Sequence, residues 1–211
     1  MRYLLIGGAG FLGQALTKKI LKGRGNKVHI IDNFSFSDDP STFKINKRIG
    51  VSYGDAASQL SIQSAINKFQ PEIIIHLAAF HAFNPGSDQR IETARITQGL
   101  LPTISFLARL KPKLFIYTSA DFVYDEIVGG KLNELGPIKW GTPDTHAMQK
   151  IIGEWYSITN CTRYRIPIVI LRPSYIIGDR KYANHFVDPI IFIIDNLLTW
   201  YVNQELISKN K

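Results

Sequence analysis

The feature that most constrains the fold is a glycine-rich turn directly after an apolar N-terminal run. Residues 2–6 form a short apolar segment, and residues 7–13 follow it with the sequence GGAGFLG. Apolar residues then recur at helical spacing over residues 11–21, and Gly23 and Gly25 stop the pattern. A buried strand that turns through glycines into a helix is typical of an opening βαβ unit, which predicts an α/β fold.

The rest of the chain alternates in the same way. Short apolar runs predict strands at residues 27–31, 51–53, 72–76, 113–118 and 166–171, and helical spacing predicts helices at residues 58–69, 91–110 and 145–156. Pro102 lies inside the second of these helices and predicts a kink or a break there. Strands that are apolar on both faces and alternate with helices indicate a Rossmann-type, doubly wound parallel sheet with helices on both faces.

Glycine at positions 7, 10 and 13 allows a tight turn and a close approach of the backbone to a pyrophosphate at a helix N-terminus. Asp32 ends the next predicted strand, about 20 residues past the loop, where a carboxylate can hold a ribose 2′-hydroxyl. A carboxylate there repels a 2′-phosphate, so the pattern predicts NAD in preference to NADP. The structural alternative is a packing turn, with Asp32 as a loop cap.

The net charge is +8, and its lysines and arginines are scattered along the sequence. The densest run, Lys18 to Lys27, lies where a helix ends, and cations are favoured there. We therefore interpret it as a solvated face, with a contact to a phosphate-bearing substrate as the alternative. We predict no nucleic-acid partner because no clustered basic face with aromatic platforms is visible.

The single cysteine, Cys161, cannot form an internal disulfide, which favours a reducing compartment, and we predict that it is buried. The apolar stretch over residues 189–202 is interrupted by Asp195 and Asn196, and is too short and polar to span a bilayer. The sequence thus predicts a cytoplasmic protein without a membrane partner. The five histidines and one cysteine show no metal-ligand spacing, so no metal site is predicted.

Further motifs follow in order: DNFS at residues 32–35, GD at 54–55, HLAA at 76–79, TSADFVY at 118–124, and LRPS at 171–174 with Gly178. Together with the glycine loop they resemble the extended short-chain dehydrogenase/reductase family, the NAD-dependent epimerase/dehydratases that act on nucleotide sugars. The resemblance covers residues 1 to about 180. It implies NAD as the cofactor, bound by Gly7, Gly10, Phe11, Leu12, Gly13, Asp32, Asn33, Asp55, Ala56, Leu77, Ala78, Ala79, Lys150 and Pro173.

The catalytic positions depart from the family pattern. The family pair is Tyr-x-x-x-Lys on a helix; Lys150 matches the lysine, but His146 stands at the tyrosine position. The family's serine or threonine, four residues before the tyrosine of Val-Tyr, is replaced by Ala120, and its helix asparagine falls near Thr97. The resemblance implies that Lys150 holds the nicotinamide ribose.

Imidazole, whose pKa is ~6.5, can exchange a proton near neutral pH, whereas a phenol, whose pKa is ~10, can do so only if its pKa is lowered. We therefore predict His146 as the acid–base group, with Ser119 and Asp121 near the reacting carbon. Asp121 stands where dehydratases of the family carry a functional aspartate. Substrate contacts are predicted for His81, Tyr124 and Ser174, whereas His76, at a buried strand end, is expected to bond local backbone groups.

The predicted division is an NAD-binding domain over residues 1–183 and a C-terminal helical segment over residues 184–211. That segment is either the remnant of a largely absent substrate lobe or a subunit contact, and its apolar character predicts a homodimer. The predicted function is an NAD-dependent oxidoreductase of the epimerase/dehydratase type acting on a small molecule, such as a nucleotide sugar or a related hydroxyl or keto compound. The alternative is an NAD(H)-binding module without turnover, serving as a redox sensor or partner subunit.

Overall fold

The computed structural model describes residues 1–35, 43–79, 98–125, 134–142, 144–174 and 176. Strands and helices alternate along these residues. The strands are β1 (Arg2–Ile6), β2 (Lys27–Asp32), β3 (Ile49–Tyr53), β4 (Ile73–His76), β5 (Leu114–Thr118) and β6 (Ile168–Leu171). The helices are α1 (Phe11–Ile20), α2 (Gln59–Phe69), α3 (Leu101–Leu110) and α4 (Thr145–Tyr164), and a 3₁₀ turn spans Asp121–Val123.

The six strands form one parallel sheet in the order β3-β2-β1-β4-β5-β6. The chain begins in the middle of the sheet, builds outward through β2 and β3, and returns to the other side of β1 with β4. The predicted doubly wound parallel sheet is therefore confirmed. In such sheets, ligands bind in the crevice at the carboxyl ends of the strands where the order reverses, here between β1 and β4.

Helices cover both faces of the sheet, and alternate residues of β1 point to opposite faces. Leu5 packs in one apolar cluster with Leu16 of α1. Leu4 packs in the other cluster with Ile62 of α2 and Leu107 of α3. Burial of each such side chain is worth roughly 1.5–3 kcal/mol, so the two clusters hold the strand ends in place beneath the crevice. No helix among the described residues is long and apolar enough to cross a membrane.

Two predicted helices differ from the structure. The helix predicted over residues 91–110 is broken: Gly99 and Leu100 form a turn, and α3 begins at Leu101 with Pro102 in its first turn. Proline is tolerated there because its missing N–H would have no intrahelical partner. The helix predicted to end at Tyr156 continues to Tyr164, where Arg165 closes it in the left-handed conformation.

Lysines and arginines that are scattered along the sequence come together in the fold. Helix ends and strand starts meet at one edge of a parallel α/β sheet, and most cations of the described chain lie there.

The predicted segment over residues 184–211 lies outside the described residues, as do His81 and Thr97.

Candidate active site

Gly7 and Gly13 of the loop are required by the packing of the protein itself. Gly7 has φ +74°, and a Cβ on it would lie 2.6 Å from the Ala78 backbone, so glycine lets the ends of β1 and β4 touch. A Cβ on Gly13 would overlap the backbone of Gly8, so α1 could not lie against the turn. These two positions explain the shape of the loop without any ligand.

Gly10 is different. It precedes the first residue of α1 with φ −66° and ψ 177°, a conformation open to any residue. A Cβ on Gly10 would find no atom closer than the Gly7 oxygen at 3.9 Å, and Gly10 lines the crevice. The N–H groups of the first helical turn have no intrahelical partners and attract anions. The open space above Gly10 therefore fits a phosphate group.

Asp32 ends β2 at the same edge of the sheet. Its Oδ2 accepts a hydrogen bond from the Ala9 N–H at 2.8 Å, and its Oδ1 accepts one from the Phe34 N–H at 2.8 Å. These bonds fix the carboxylate beside the glycine loop, and each carboxylate oxygen can accept a further bond from a hydroxyl. Nearby, Asn33 donates to Asp55 Oδ2 at 3.2 Å.

Two adjoining cavities form one crevice across the point where the strand order reverses. The smaller, about 320 Å³, is lined by Asp32, Asn33 and Asp55, and the larger, about 710 Å³, by Ser119, His146 and Lys150. Both are lined by Gly7, Gly10, Phe11, Leu77 and Ala79. The crevice is therefore continuous from the acidic end of β2 to the start of α4.

Helix α4 positions the two residues predicted for catalysis. The Asp144 side chain caps the helix by accepting from the N–H groups of His146 and Ala147. The half-buried His146 ring packs 5.3 Å from the Phe122 ring. One turn further, Lys150 is buried and donates from Nζ to the Thr118 oxygen at 2.8 Å. Burial lowers the Lys150 pKa to about 8, against the opposing effect of the Glu154 carboxylate.

The end of β5 contributes hydroxyl groups to the larger cavity. The Thr118 and Ser119 hydroxyls are buried and have no hydrogen-bond partner among the residues that the structure describes. Ser119 is only 2% exposed and lines the cavity, so its hydroxyl is available to a bound group. Ala120 also lines the cavity and offers no polar atom in its side chain. Asp121 follows, with its N–H bonded to the Pro173 oxygen at 3.0 Å.

An ion pair that the sequence analysis does not predict stabilises the part of the larger cavity that is lined by Tyr124. Arg172 donates from Nε and Nη2 to the two oxygens of Glu154 at 2.8 and 2.7 Å, and from Nη1 to the Tyr124 hydroxyl at 2.8 Å. Its guanidinium also lies 4.8 Å from the Tyr124 ring centroid. These bonds raise the Arg172 pKa further above its usual range. The LRPS motif contains Arg172, but nothing in the sequence indicates its partner.

A second residue that sequence reasoning missed is Lys139, which lines the larger cavity from the loop before α4. Its backbone N–H bonds the Val123 oxygen at 2.9 Å, which ties this loop to the 3₁₀ turn. No motif marks the position, because the loop carries no periodic pattern. Lys139 therefore shares the wall of the larger cavity with Asp121 and Asp125.

The structure brings the predicted residues together. Every residue predicted for the cofactor lines one of the two cavities, and the catalytic candidates His146, Lys150, Ser119 and Asp121 line the larger one with Tyr124 and Ser174. Their roles stay predictions. His81 lies outside the described residues. No group of three metal-binding side chains occurs among the residues that the structure describes.

Two structural expectations are confirmed. His76 donates from Nε2 to the Gly99 oxygen at 3.1 Å, and burial lowers its pKa to about 4. Cys161 is fully buried, and burial raises the pKa of its thiol to about 12. Neither side chain lines the crevice.

The comparison with known families agrees with this site. The NAD dependent epimerase/dehydratase family matches residues 3–205. The chain belongs to this family. The family depends on NAD, so NAD is the cofactor that the crevice must accommodate.

The curated relatives are distant in sequence. A dTDP-D-glucose 4,6-dehydratase of Dictyostelium discoideum is 22% identical over 214 residues, which cover 92% of this chain and 48% of that protein. A putative UDP-glucose 4-epimerase of Methanocaldococcus jannaschii is 26% identical over 199 residues, covering 92% of this chain and 62% of that protein. The chain spans about half the length of the first of these relatives and under two thirds of the second.

Solved structures show the same fold. The Bordetella bronchiseptica enzyme WbmH in complex with NAD⁺ matches with a TM-score of 0.74 at 20% identity, over 87% of this chain and 58% of that chain. The UDP-glucose 4-epimerase of Thermus thermophilus in complex with NAD matches with a TM-score of 0.74 at 22% identity, over 88% and 58%.

Proposed function

We propose that this chain is the cofactor-binding part of an NAD-dependent oxidoreductase of the epimerase/dehydratase type, acting on a nucleotide sugar. The observation that carries the proposal is the continuous crevice, which joins the Asp32 carboxylate to a pair of residues, His146 and Lys150, one helical turn apart. A binding site alone does not require a proton-exchanging side chain at that end.

The crevice fits NAD on three observations. The space above Gly10 accepts a phosphate, the Asp32 carboxylate is held where a ribose hydroxyl can donate to it, and the Ser119 hydroxyl is buried without a partner in the described chain. Lys150 would hold the second ribose, and Pro173 and Leu77 would flank the cofactor. When bound, NAD supplies a hydride acceptor for a carbon that bears a hydroxyl group.

His146 is proposed to move the proton. A hydroxyl that loses hydride from its carbon must also lose its proton, and an imidazole titrates close to neutral pH. The Asp144 cap and the contact with Phe122 hold the ring at the wall of the larger cavity. Ala120 offers no hydroxyl for polarising a carbonyl, so Ser119 is proposed to contact the reacting oxygen and Asp121 to act beside it.

The substrate class rests on the family and on the charge of the cavity. The relatives named above act on dTDP-glucose or UDP-glucose by their names. Lys139 faces the larger cavity, where a phosphate of a nucleotide sugar would meet a cation. His81, Tyr124 and Ser174 are proposed as further substrate contacts, with Tyr124 held in place by Arg172.

Calorimetric titration with NAD, NADH and NADP, repeated with UDP-glucose present, tests the binding half of the proposal. We expect NAD and NADH to bind, and NADP to bind much more weakly. Absence of binding by any dinucleotide would contradict the proposal and leave the glycine loop as a packing turn.

Substitution of His146 tests the catalytic half. We expect His146→Ala to remove turnover of the substrate while NAD affinity stays within about twofold, since the ring is proposed for proton transfer and not for holding the cofactor. If wild-type protein binds NAD but no nucleotide sugar is oxidised, and His146→Tyr gains activity, the wild-type chain is a binding module without turnover. The domain division at residue 183, a homodimer and a cytoplasmic location are proposals as well, and sedimentation of the purified chain tests the dimer.

A further inference from the structure

Charge is segregated between the two edges of the sheet. The acidic residues of the described chain lie at or near the carboxyl edge, around the crevice, with the exception of Glu72 at the start of β4. Glu72 is already paired with Arg2 and Lys113. The amino edge carries the cations of helix ends and strand starts. The sequence analysis interprets the densest run of cations, Lys18 to Lys27, as a solvated face, and the fold brings further cations of distant sequence position to the same edge.

The cations are densest at one end of this edge, which we call the basic corner and define as Lys22, Arg24, Lys27, Lys44, Lys47 and Arg48. The first three lie between α1 and the start of β2, and the others in the loop before β3. No acidic residue among positions 1–35 and 43–54 lies at this edge; Asp32 is at the opposite end of β2, about 17 Å away at ~3.3 Å per residue.

The two loops of the corner are joined as one rigid surface. Arg48 donates from Nη2 to the Gly23 oxygen at 2.8 Å and from Nε to the Asn26 oxygen at 3.0 Å, and it also bonds the Leu21 oxygen. Within the second loop, Asn46 and Ile49 exchange two backbone hydrogen bonds of 3.2 Å. The cationic side chains are thus presented together before any partner binds.

Helix dipoles explain only part of this arrangement. Cations in a last helical turn, such as Lys18 and Lys19 of α1, are favoured by the helix itself. Arg24, Lys44 and Lys47 lie in loops outside any helix, where no dipole stabilises them and their mutual repulsion opposes folding. An anionic surface that docks on the corner would offset this repulsion.

An exposed apolar side chain distinguishes the kind of surface. Ile45 lies between Lys44 and Lys47 and is 63% exposed. A single-stranded nucleic acid needs aromatic platforms, and the exposed aromatic residues of the described chain all lie outside the corner: Tyr53, Phe122, Trp140, Trp155 and Tyr156. An exposed aliphatic side chain flanked by lysines is suited to a bilayer surface, where the lysines contact anionic headgroups and the aliphatic side chain enters the interface.

We propose that the basic corner docks this protein on membranes rich in anionic phospholipids. The corner lies at the amino ends of β2 and β3, whereas the crevice opens at the carboxyl ends of the strands. A protein docked in this way keeps the crevice directed away from the bilayer, so cofactor and substrate can enter from solution.

Co-sedimentation of the 211-residue chain with vesicles tests the proposal. One vesicle is phosphatidylcholine alone, and in the other roughly a third of the lipid is phosphatidylglycerol. We expect binding to the anionic vesicle only, weakening as salt is added. The double variant Lys44→Glu/Lys47→Glu should reduce the partition coefficient by roughly tenfold or more. Neither lysine side chain forms a hydrogen bond or ion pair with another residue that the structure describes, and Arg48, which joins the two loops, is left intact.

Lys111→Glu is the matched control, because Lys111 is exposed at the same edge but beside β5, three strands from β2. It should bind vesicles within about twofold of wild type, and the double variant should keep wild-type affinity for NAD. Ile45→Ser should weaken the binding that survives at high salt. Three results overturn the proposal: no binding to anionic vesicles at low salt, equal loss in Lys111→Glu, or tighter binding to duplex DNA that the double variant abolishes.

Discussion

Arg172, just after β6, and Glu154, in the middle of α4, form a two-point ion pair with N–O distances of 2.8 and 2.7 Å. The Glu154 side chain is 5% exposed and the Arg172 side chain 20%. Through its third bond, to the Tyr124 hydroxyl, Arg172 ties the 3₁₀ turn region to the helix that carries His146 and Lys150. One ion pair therefore sets the distance between two walls of the larger cavity.

Arg172→Met is expected to lower the free energy of unfolding by roughly 3–5 kcal/mol, because it leaves the buried Glu154 carboxylate without its partner. Denaturant unfolding measures the change. Lys113→Met is the control: it breaks a more exposed pair with Glu72, at 3.2 Å, and should cost less than about 1 kcal/mol. Equal losses in the two variants would show that the Arg172–Glu154 pair stabilises the fold no more than the more exposed Lys113–Glu72 pair does.

Gly10→Ala is expected to fold normally and to bind NAD at least roughly tenfold more weakly, since its methyl group would occupy the place proposed for a phosphate of NAD. The nearest protein atom to that methyl is 3.9 Å away, so the unfolding midpoint should not move. Gly13→Ala should instead destabilise the fold, because its Cβ overlaps Gly8. Thermal unfolding and calorimetry on both variants check the two effects, and unchanged NAD affinity in Gly10→Ala would contradict the site.

Asp32→Asn is expected to weaken NAD binding by roughly tenfold and to leave NADP binding equal or stronger, because the carboxylate proposed to accept from the ribose hydroxyl is lost, together with its repulsion of a 2′-phosphate. Titration with both dinucleotides measures the ratio. The unfolding midpoint is the control, since Asp32 also accepts from Ala9 and Phe34. A wild-type chain that binds the two dinucleotides equally would be the contrary outcome.

Lys150 predicts a pH dependence of stability. Burial lowers its pKa from 10.5 to about 8 in the folded state. Between pH 8 and 10.5 the unfolded chain therefore binds more protons, and this residue makes stability rise with pH; below pH 8 its full burial cost is present. Lys150→Met removes that cost, so the stability of wild type relative to the variant should rise by roughly 3 kcal/mol as pH rises across this range. Unfolding at several pH values checks it, and a pH-independent difference would contradict it.

Much of the fold follows from local patterns. The run over residues 2–6, the glycines after it and the helical spacing from Phe11 lie within a few residues of one another, so the β1–α1 turn is readable from the sequence. The strand ends are readable for the same reason, and Asp32 and the HLAA motif at residues 76–79 lie where parallel strands end. Because those ends meet at one edge of the sheet, the cofactor residues could be predicted as a group.

The ends of helices were harder to predict. The sequence of the final turns of α4 is only weakly amphipathic. The side of these turns that faces the core is identified in the structure by Cys161, which is fully buried in the apolar cluster that contains Leu4 and Ile62. Pro102 predicts either a kink or a break in the helix. The structure shows a break, because the chain forms a turn at Gly99 and Leu100.

The class of fold, the glycine loop and the positions of Asp32, His146 and Lys150 follow from local sequence, because each depends on neighbours within one strand or helical turn. Tertiary structure decided that Arg172 pairs with Glu154, that Lys139 faces the cavity, and that cations distant in sequence form one corner. Those relationships depend on strand order and on which helix ends share an edge of the sheet, and neither is encoded in any short stretch of residues.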